Sequence, residues 1–415
     1  MSVLDKFFSR KPNQPDFAEA VIRAFKKAGV ENVEAVEGEF ALKVGDGKST
    51  IYLSNVYANY CSAPRSKRPS VVAEFVTAAV ALPTLPAVPT DYGEVKPALM
   101  PAIRDAAYFS IFRLMQRKGG KNDAGHEVVT KPFVGGLVIG LAYDTERNIT
   151  SVNHESFAKW GVSLDDVFKT ARENLWEKTD PAKLAGEGGV YWSQWGDSYD
   201  SSRILLTELI YRLSVDGDPV AFVPNRNELW VTGTNNSAGI RGILKQGKES
   251  HFQKGHPLSP DLYVLVDGVW KEYVPADPAL RELWLALRRH REAIDYAQQQ
   301  ELLNAIHEKE KIDLFVASYK IYERKDGTAY AACVWSNGID SSLPRAEHIV
   351  FMVDVEAKDF FTVPWDAAVA VVGNLLEPEA ELVPARYRAR QFPGSEQIAE
   401  LRKLAAGPLR SDNLS

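Results

Sequence analysis

Residues 277–311 read DPALRELWLALRRHREAIDYAQQQELLNAIHEKEK and form the longest stretch of helix-favouring sequence in the chain. Ala, Leu, Arg, Glu and Gln dominate it, and a single helix of this length would extend about 45–50 Å. Its apolar positions are sparse among mixed charges: Trp284, Leu287, Ile294, Leu303 and Ile306. We interpret the surrounding face as solvated, the alternative being a helix that binds a partner or a second copy of the chain.

On the C-terminal side of this stretch, short strand patterns alternate with helical ones. The apolar runs and turn residues predict strands over 313–322, 329–335, 349–355 and 381–389, and helices over 364–376 and 397–406. These elements indicate a compact C-terminal α+β domain, followed by a loose tail at 407–415.

On the N-terminal side, helical and strand-like patterns also mix. Helices are predicted over 17–28, 71–80, 102–114, 163–175 and 199–213, and strands within 33–57 and over 133–143, 218–223, 228–231, 262–266 and 269–273. Residues 81–101 carry five prolines and are interpreted as an extended crossover or linker.

Together these patterns predict a multidomain α+β protein. Small antiparallel or mixed sheets pack with helices, and a long connecting helix precedes the C-terminal domain. We predict five segments: an N-terminal α+β domain with its proline-rich crossover (1–101), a central α+β domain (102–275), the connecting helix (276–312), a C-terminal α+β domain (313–395), and a terminal helix and tail (396–415).

Composition narrows the class of protein. The chain has 415 residues, 45% hydrophobic and 25% charged, with a formal net charge of −6. These values are typical of a soluble globular protein and exclude a disordered or collagen-like chain. Acidic residues outnumber basic ones, 55 to 49, which disfavours a protein whose main function is to bind nucleic acid. Two isolated cysteines, Cys61 and Cys333, and the absence of a signal-peptide or membrane-spanning pattern predict a cytoplasmic location.

The familiar catalytic and ligand-binding motifs are missing. The sequence contains no CxxC, HExxH, GxSxG, GxxxxGK[ST] or GxGxxG. The pair His251 and His256 stands in a segment that we interpret as a polar loop, without further ligands that we can name. We therefore predict no catalytic residue, no cofactor and no metal, which favours a binding protein over an enzyme.

The strongest polar cluster is WGDSYDSS at residues 195–202. Asp197 and Asp200 could bind Mg²⁺ or act in acid–base chemistry, although capping of the following helix is the simpler interpretation. The aromatic residues Trp192, Trp195 and Tyr199 stand in the same segment. They predict a partner surface if exposed and a core if buried, and we favour the core.

Two loops supply further candidate residues. Arg226, in the turn PNRN between two apolar strands, could bind a phosphate or carboxylate, the alternative being an ion pair with a local carboxylate. Residues 335–345 (WSNGIDSSLPR) are interpreted as a loop that contributes Asp340 and Arg345. The candidate binding residues are therefore Trp192, Trp195, Asp197, Tyr199, Asp200, Arg226, Asp340 and Arg345.

Several segments in order resemble the bacterial DUF1444 (YtpQ-like) family of unknown function. They read NYCSAPRSKRPSVVAEFV (59–76), GLVIGLAYDTERNITSVNHESFAKWGVSLDDVFKTARENL (136–175), GDSYDSSRILLTELIYRL (196–213) and DGDPVAFVPNRNELWVTG (216–233). The resemblance covers about residues 15–275 and implies a soluble bacterial α+β protein without an established activity. It departs at Asn227, where an acid is expected, and residues 276–415 look like an added module.

Three functional hypotheses remain. The first is a non-catalytic binding or adaptor protein that assembles with a protein partner through the long helix or residues 192–199. The second is an enzyme for a phosphorylated or acidic small molecule, with Asp197, Asp200 and Arg226 at one site. The third, disfavoured by the acidic balance, is nucleic-acid binding through the basic runs at 65–68 and 386–390.

Overall fold

The computed structural model describes residues 13–36, 40–45, 49–81, 88–120, 127–145, 148–324 and 327–405. Its small antiparallel and mixed sheets pack with helices, and a long helix precedes the C-terminal strands, which confirms the predicted α+β class. The chain divides into two compact units. The first unit comprises Met1–Ile103, Val128–Lys131 and Ile139–Trp270, and the second unit comprises Arg104–Glu127, Pro132–Val138 and Lys271–Ser415.

The first unit begins with helices around a three-stranded antiparallel sheet. These elements are α1 (Gln14–Lys27), β1 (Val33–Ala35), β2 (Ala41–Val44), β3 (Ser49–Tyr52), α2 (Ser54–Ser62) and α3 (Arg68–Ala81). Asn13 caps α1, because its side chain accepts a hydrogen bond from the amide of Asp16. The buried face of α1, formed by Phe17, Val21 and Phe25, packs in the core of this subdomain.

The chain continues through short helices and strands. They are α4 (Tyr92–Val95), β4 (Leu99–Asp105), α5 (Ala106–Lys118), β5 (Thr130–Val134), β6 (Leu137–Thr145), β7 (Asn148–Ser151), α6 (His154–Ala158) and α7 (Leu164–Glu177). Helix α7 confirms the helix predicted over 163–175, and the hydroxyl of Ser163 caps it by accepting a hydrogen bond from the amide of Asp166. Its buried residues Val167, Phe168 and Ala171 pack against Trp160.

The last part of the first unit is a six-stranded sheet that carries the sequence-predicted polar cluster. Its strands and the neighbouring helices are β8 (Leu184–Glu187), β9 (Val190–Ser193), α8 (Thr207–Ile210), β10 (Pro219–Phe222), β11 (Trp230–Gly233), α9 (Ser237–Gln253), β12 (Leu262–Val266) and β13 (Val269–Tyr273). The spatial order is β13-β12-β10-β11-β9-β8. Strands β12 and β13 have the bounds predicted over 262–266 and 269–273, on either side of the turn at Asp267 and Gly268.

The sequence pattern missed helix α9 because glycines interrupt it. The packing explains one of them: a Cβ on Gly247 would lie 1.8 Å from Cε1 of Phe222. Glycine is therefore required where the helix crosses β10, despite its low helix propensity. His251 belongs to the last turn of α9 and is buried, with Nδ1 2.8 Å from the carbonyl of Pro224. The interpretation of this histidine as part of a polar loop was wrong.

The second unit contains α5 and the long helix α10 (Pro278–Glu310), which Asp277 caps through the amide of Ala279. Of the apolar side chains named above, Trp284, Leu287, Leu303 and Ile306 are buried, and Ile294 is exposed. The surrounding face, which we interpreted as solvated, is not solvated throughout, because Arg289, Asp295 and Gln299 are buried. Leu302, Leu303 and Ile306 pack with Ile111 and Leu114 of α5. Arg291 bridges Asp105 and Asp295, and this ion-pair network is nearly buried.

Two four-stranded sheets and two helices complete the second unit. The elements are β14 (Phe315–Val316), β15 (Lys320–Glu323), β16 (Ala329–Ser336), β17 (Ser341–Pro344), β18 (His348–Asp354), β19 (Asp359–Pro364), α11 (Trp365–Val372), β20 (Glu377–Pro378), β21 (Arg386–Ala389) and α12 (Ser395–Lys403). The sheet orders are β14-β17-β21-β20 and β15-β16-β18-β19, each with one parallel pair. Trp335, Phe351 and Trp365 lie in their shared core.

Two predicted elements are each broken in two. The single helix predicted over 199–213 is a 3₁₀ helix at Ser201–Leu205 followed by the four-residue α8. Polar side chains explain the break, since Ser202 accepts the amide of Ile103 and Arg203 turns inward to Asp197. The single strand predicted over 133–143 is interrupted by a turn at Gly135, which has φ +54°, between β5 and β6.

Two further predictions need correction. The helix predicted to start at Ala102 starts at Ala106, because β4 continues to Asp105. The side chain of Asp105 then caps α5 by accepting a hydrogen bond from the amide of Ala107. The loop predicted over 335–345 contains β17, whose Ser341 and Ser342 are buried. Residues 82–87 of the proline-rich crossover and the tail from 406 onward lie outside the described residues.

Within the described ranges, none of the helices combines the length and the apolar character that a membrane span requires. The two cysteines lie in different environments: Cys61 is half-buried near the end of α2, and Cys333 is buried in β16. Burial raises the pKa of the Cys333 thiol to about 12. Neither cysteine forms a disulfide.

We expect iodoacetamide to alkylate Cys333 at least about 100-fold more slowly than Cys61 in the folded protein, because the thiolate is the nucleophile and burial suppresses it. Peptide mass spectrometry after timed alkylation measures both rates, and urea-unfolded protein is the control in which the rates converge. Equal rates in the folded protein would contradict the placement of Cys333.

Candidate functional site

After β9, the buried Arg203 forms an ion pair with the partly exposed Asp197. Arg203 is 0% exposed, and its Nη1 and Nη2 donate to Oδ1 and Oδ2 of Asp197 at 3.0 and 2.7 Å. Its Nε donates to Thr179 at 2.9 Å, and its guanidinium lies 4.2 Å from the ring centroid of Trp195. Burial opposes ionisation of Asp197, but Arg203 outweighs it and lowers the pKa of this carboxyl.

Asp200 holds the backbone of the same loop. Its two carboxylate oxygens accept the amides of Trp195 and Gly196 at 3.1 and 3.0 Å. Burial raises the pKa of Asp200, and a hydrogen bond with Ser193 acts in the opposite direction. Both candidate carboxylates thus engage groups of their own loop. They do not cap the following helix, which was the simpler interpretation from the sequence.

The aromatic residues of this loop are mostly covered. Trp195 and Tyr199 are buried, and Trp192 is half-buried against Trp230, with ring centroids 6.1 Å apart. The indole Nε1 of Trp195 donates to the carbonyl of Asp180 at 3.0 Å. The preferred interpretation of a core is therefore confirmed for Trp195 and Tyr199, and these two residues provide no exposed partner surface.

Arg226 lies where three segments of the first unit meet. Its carbonyl accepts the amide of Ser201 at 3.2 Å, and its amide donates to the carbonyl of His256 at 3.1 Å. The turn is tightened by Asn225, whose side chain accepts the amide of Asn227 at 2.8 Å. The backbone of Arg226 is thus fixed beside the loop that carries Asp197 and Asp200.

The guanidinium of Arg226 has an unusual environment. Among the described residues no carboxylate forms an ion pair with it, so the alternative predicted from the sequence, a local ion pair, is not seen there. Burial lowers the pKa of Arg226, while the neighbouring Tyr199 raises it. The Nε atom is buried and has no hydrogen-bond partner.

Two neighbours of Arg226 share this property. The hydroxyl of Ser201 and Nδ2 of Asn225 are also buried without a hydrogen-bond partner, and both residues are almost completely buried. Ser201, Asn225 and Arg226 adjoin along hydrogen-bonded backbone segments, and each has an unsatisfied buried polar atom. Sequence reasoning missed Ser201 and Asn225, because their partners and burial depend on contacts between separate segments. Their position beside Asp200 and Arg226 was the available signal.

Asp340 and Arg345 belong to the second unit. Asp340 pairs with Arg388, with Oδ2 2.7 Å from Nη2 and Oδ1 3.2 Å from Nε, and this pairing lowers the pKa of the carboxyl. Arg345 lies at a cleft, and its nearest carboxylate partner in the described residues is Asp366, at 3.8 Å. The two residues proposed for one loop thus have different surroundings.

The basic run at 386–390 does not form one exposed patch. Arg386 is 0% exposed, Arg388 pairs with Asp340, and Arg390 pairs with Glu377 at the surface. In the run at 65–68, Arg68 donates to the carbonyl of Ala63. Groups of three or more His, Cys, Asp or Glu side chains arranged to hold a metal are absent from the described ranges.

Comparison with known proteins adds no relative to this picture. No family model, no curated protein and no solved structure matches the chain. The contacts and burial of the residues around Arg226 therefore provide the basis for a functional proposal.

Proposed function

We propose that the protein binds a small oxyanion, the phosphate or carboxylate group of a ligand, at Arg226. The observation that carries this proposal is that three residues that adjoin along the backbone each have a buried polar atom without a hydrogen-bond partner: Arg226 Nε, Ser201 Oγ and Asn225 Nδ2. All three can donate a hydrogen bond, and the first belongs to a cation.

The energetics favour an anion over an empty site. A buried donor without a partner costs about 1–3 kcal/mol, and a charged donor costs more. An oxyanion accepts several hydrogen bonds at once, and the planar fork of arginine matches phosphate and carboxylate geometry. Burial of the guanidinium strengthens its attraction for an anion, because fewer water molecules compete.

A binding role agrees better with the neighbouring acids than a catalytic one. Asp197 engages Arg203, and Asp200 engages two backbone amides of its loop. The rival hypothesis of an enzyme needs Asp197, Asp200 and Arg226 to act on one substrate, and both carboxylates would first have to leave these partners. This supports the non-catalytic hypothesis.

The remaining sequence-based predictions belong to the same proposal. We retain a protein partner, a cytoplasmic location and membership of the DUF1444 family as predictions. The free cysteines support the compartment, since disulfides are rare in the cytosol. The surfaces first considered for a partner are largely unavailable, because Trp195, Tyr199 and most apolar residues of α10 are buried.

Isothermal titration calorimetry with inorganic phosphate and with acetate tests the proposed site. Arg226→Gln is expected to weaken binding about 10- to 100-fold, the usual effect of losing charge-assisted hydrogen bonds. Ser201→Ala is expected to weaken binding about fivefold. In the absence of anion, Ser201→Ala should leave the free energy of unfolding unchanged or raise it, because the variant removes an unsatisfied buried hydroxyl.

Arg212→Gln is the matched control, because it removes the same charge from an exposed position of the first unit. It is expected to keep the affinity of the unchanged protein. The proposal fails if neither anion binds, or if Arg212→Gln weakens binding as much as Arg226→Gln.

A further inference from the structure

A cleft of about 310 Å³ opens in the second unit beside Arg345. It lies between α10, the residues just before β18, and the start of α11. Its lining is mainly charged: Arg288, Arg289, Glu292, Arg345, Glu347 and Asp366. The volume is at the lower end of the range for small-molecule sites.

Two of the three arginines in this cleft are held by carboxylates. Arg288 pairs with Glu292 at 2.9 Å, and Arg289, which is nearly buried, pairs with Glu347 at 2.8 Å. The carboxylates are also hydrogen-bonded: Tyr319 donates to Glu292 at 2.7 Å, and the amide of Ala331 donates to Glu347. These pairs form a fixed wall whose charges are locally balanced.

Arg345 differs from the other two arginines. Its side chain is 56% exposed, and the nearest carboxylate partner is Asp366, 3.8 Å away and 91% exposed. An exposed pair at this distance contributes little and dissociates easily. The backbone of Arg345 is nevertheless fixed, because its amide donates to the carbonyl of Ala385 and to Tyr296 Oη, both at 3.2 Å.

A second cleft of about 260 Å³ adjoins the first and shares Arg345, Trp365 and Asp366 with it. Its other lining residues are largely apolar: Val369, Gly373, Leu376 and Tyr387. Trp365 packs on Tyr387 with ring centroids 5.3 Å apart. Arg345 therefore stands at the junction between a charged cleft and an apolar one.

The start of α11 lies at the same junction. Trp365 is the first residue of this eight-residue helix, and Pro364 before it provides no side-chain cap. The positive end of the helix dipole adds to the positive charge of Arg345. A negative group at the junction would thus be favoured by both, and an apolar group attached to it would reach Trp365 and Val369.

We infer that these adjoining clefts bind a small carboxylate with an apolar group next to the acid. The guanidinium of Arg345 binds the carboxylate, and the side chains of Trp365, Val369 and Leu376 contact the apolar group. A free organic acid and the C-terminal residue of a peptide share this chemistry. The site goes beyond the function proposed above, since it uses other residues and lies in the second unit.

Calorimetric titration of the full chain with N-acetylphenylalanine tests the inference. Ligands of this size typically reach a dissociation constant on the order of 1 mM. N-acetylphenylalanine amide, which lacks the charge, is expected to bind at least about tenfold more weakly. N-acetylglycine, which lacks the apolar group, is also expected to bind at least about tenfold more weakly. A tripeptide that ends in phenylalanine distinguishes the two sources, since a peptide site binds it more tightly than the free acid.

Two variants locate the binding. Arg345→Gln is expected to weaken binding of N-acetylphenylalanine about tenfold or more, and Val369→Ser about threefold. Both side chains are partly exposed, so the fold should tolerate the changes. Arg390→Gln, an exposed arginine outside the clefts, is the matched control and should bind as the unchanged protein does.

The inference is overturned if the acid, its amide and N-acetylglycine bind equally, or if none binds up to about 10 mM. Equal effects of Arg345→Gln and Arg390→Gln would also overturn it, because they would indicate attraction to the overall charge. Failure here leaves the Arg226 site intact, since phosphate binding there is measured with different variants.

Discussion

Replacing Arg386 by methionine is expected to lower the free energy of unfolding of the second unit by about 3–5 kcal/mol. Arg386 is 0% exposed, and all its hydrogen bonds go to neutral acceptors within 3.2 Å: Gln299 Oε1 and the carbonyls of Tyr296, Ala317 and Ser342. The variant would remove all four of these buried hydrogen bonds, although the carbonyl of Ser342 would keep the bond from the amide of Ala317. These acceptors belong to α10, to β17 and to the segment between β14 and β15, so the damage would spread through the unit.

Arg386 remains charged at neutral pH although it is buried. Burial lowers its pKa to about 10, which is still well above 7. Arg386→Lys keeps the charge, but the single ammonium group of lysine cannot reproduce the hydrogen bonds that the planar guanidinium makes to four acceptors. We therefore expect Arg386→Lys to be destabilising as well. The exposed Arg390→Gln is the control and should change stability by less than about 0.5 kcal/mol.

Urea unfolding followed by peptide-resolved hydrogen exchange measures this effect, because it reports the second unit separately from the first. Peptides of β21 and α10 are expected to lose protection in Arg386→Met at lower urea than in the unchanged protein. If Arg386→Met and Arg390→Gln unfold at the same urea concentration, the described bonding of Arg386 is wrong.

Arg203→Met is expected to destabilise the first unit by a similar amount, about 3–5 kcal/mol, because it removes the buried donor of the hydrogen bonds to Asp197, Thr179 and the carbonyl of Lys178. Asp197→Asn removes the negative charge instead and leaves the guanidinium of Arg203 buried without a counterion. We expect the smaller loss for Asp197→Asn, because the amide oxygen of asparagine still accepts a hydrogen bond from Arg203, and the bonds of Arg203 to Thr179 and to the carbonyl of Lys178 remain.

The effect of Asp197→Asn depends on pH. The pKa of Asp197 is lower in the folded protein than its ordinary value, so the ionised form stabilises the fold. This contribution is present above pH about 4 and disappears as the pH falls through the folded pKa. The difference in stability between Asp197→Asn and the unchanged protein is therefore expected at pH 7 and should shrink toward pH 3.

Urea unfolding at both pH values, read from peptides of α7 and β9, measures these differences. Arg23→Gln is the control in the same unit, because Arg23 and its partner Glu19 are exposed and 3.5 Å apart. If Arg203→Met lowers the free energy of unfolding no more than Arg23→Gln does, the described bonding of the buried Arg203 is wrong. A stability difference for Asp197→Asn that grows toward pH 3 would contradict the sign of the pKa shift.

Three buried or half-buried arginines of the described residues have different surroundings. Arg203 binds a carboxylate, and Arg386 binds neutral acceptors within its core. Arg226 has an unsatisfied Nε beside two other unsatisfied polar groups. The fold satisfies the first two arginines, so the unsatisfied Nε of Arg226 differs from them. That contrast is the physical basis for proposing a ligand there.

Local signals predicted several elements well. Asp277 and Pro278 mark the start of α10, and Ser163 marks the start of α7, because caps act within one helical turn. The Asp267–Gly268 turn fixed both strands of its hairpin. In each case the deciding interaction joins residues close together in the sequence.

Other elements depend on contacts between distant segments, and the sequence pattern did not reveal them. The apolar stripe at 205–213 predicted one helix, but Ser202 and Arg203 bond to separate segments and divide it. Gly247 lowers the helix propensity of α9 and is required by Phe222. The ion pairs of the candidate site could not be predicted for the same reason. The sequence allows either Arg203 or Arg226 to pair with Asp197, and the structure shows that Arg203 does.

The most direct measurement of the Arg226 site is an NMR titration of the arginine Nε–Hε signals with inorganic phosphate. The Arg226 signal is assigned by its loss in Arg226→Gln. We predict a saturable downfield shift for Arg226 as its Nε gains an acceptor, while Arg203, already bonded to Thr179, stays unchanged. An Arg226 signal that does not move, or that moves no more than the exposed Arg212, would contradict the proposed function.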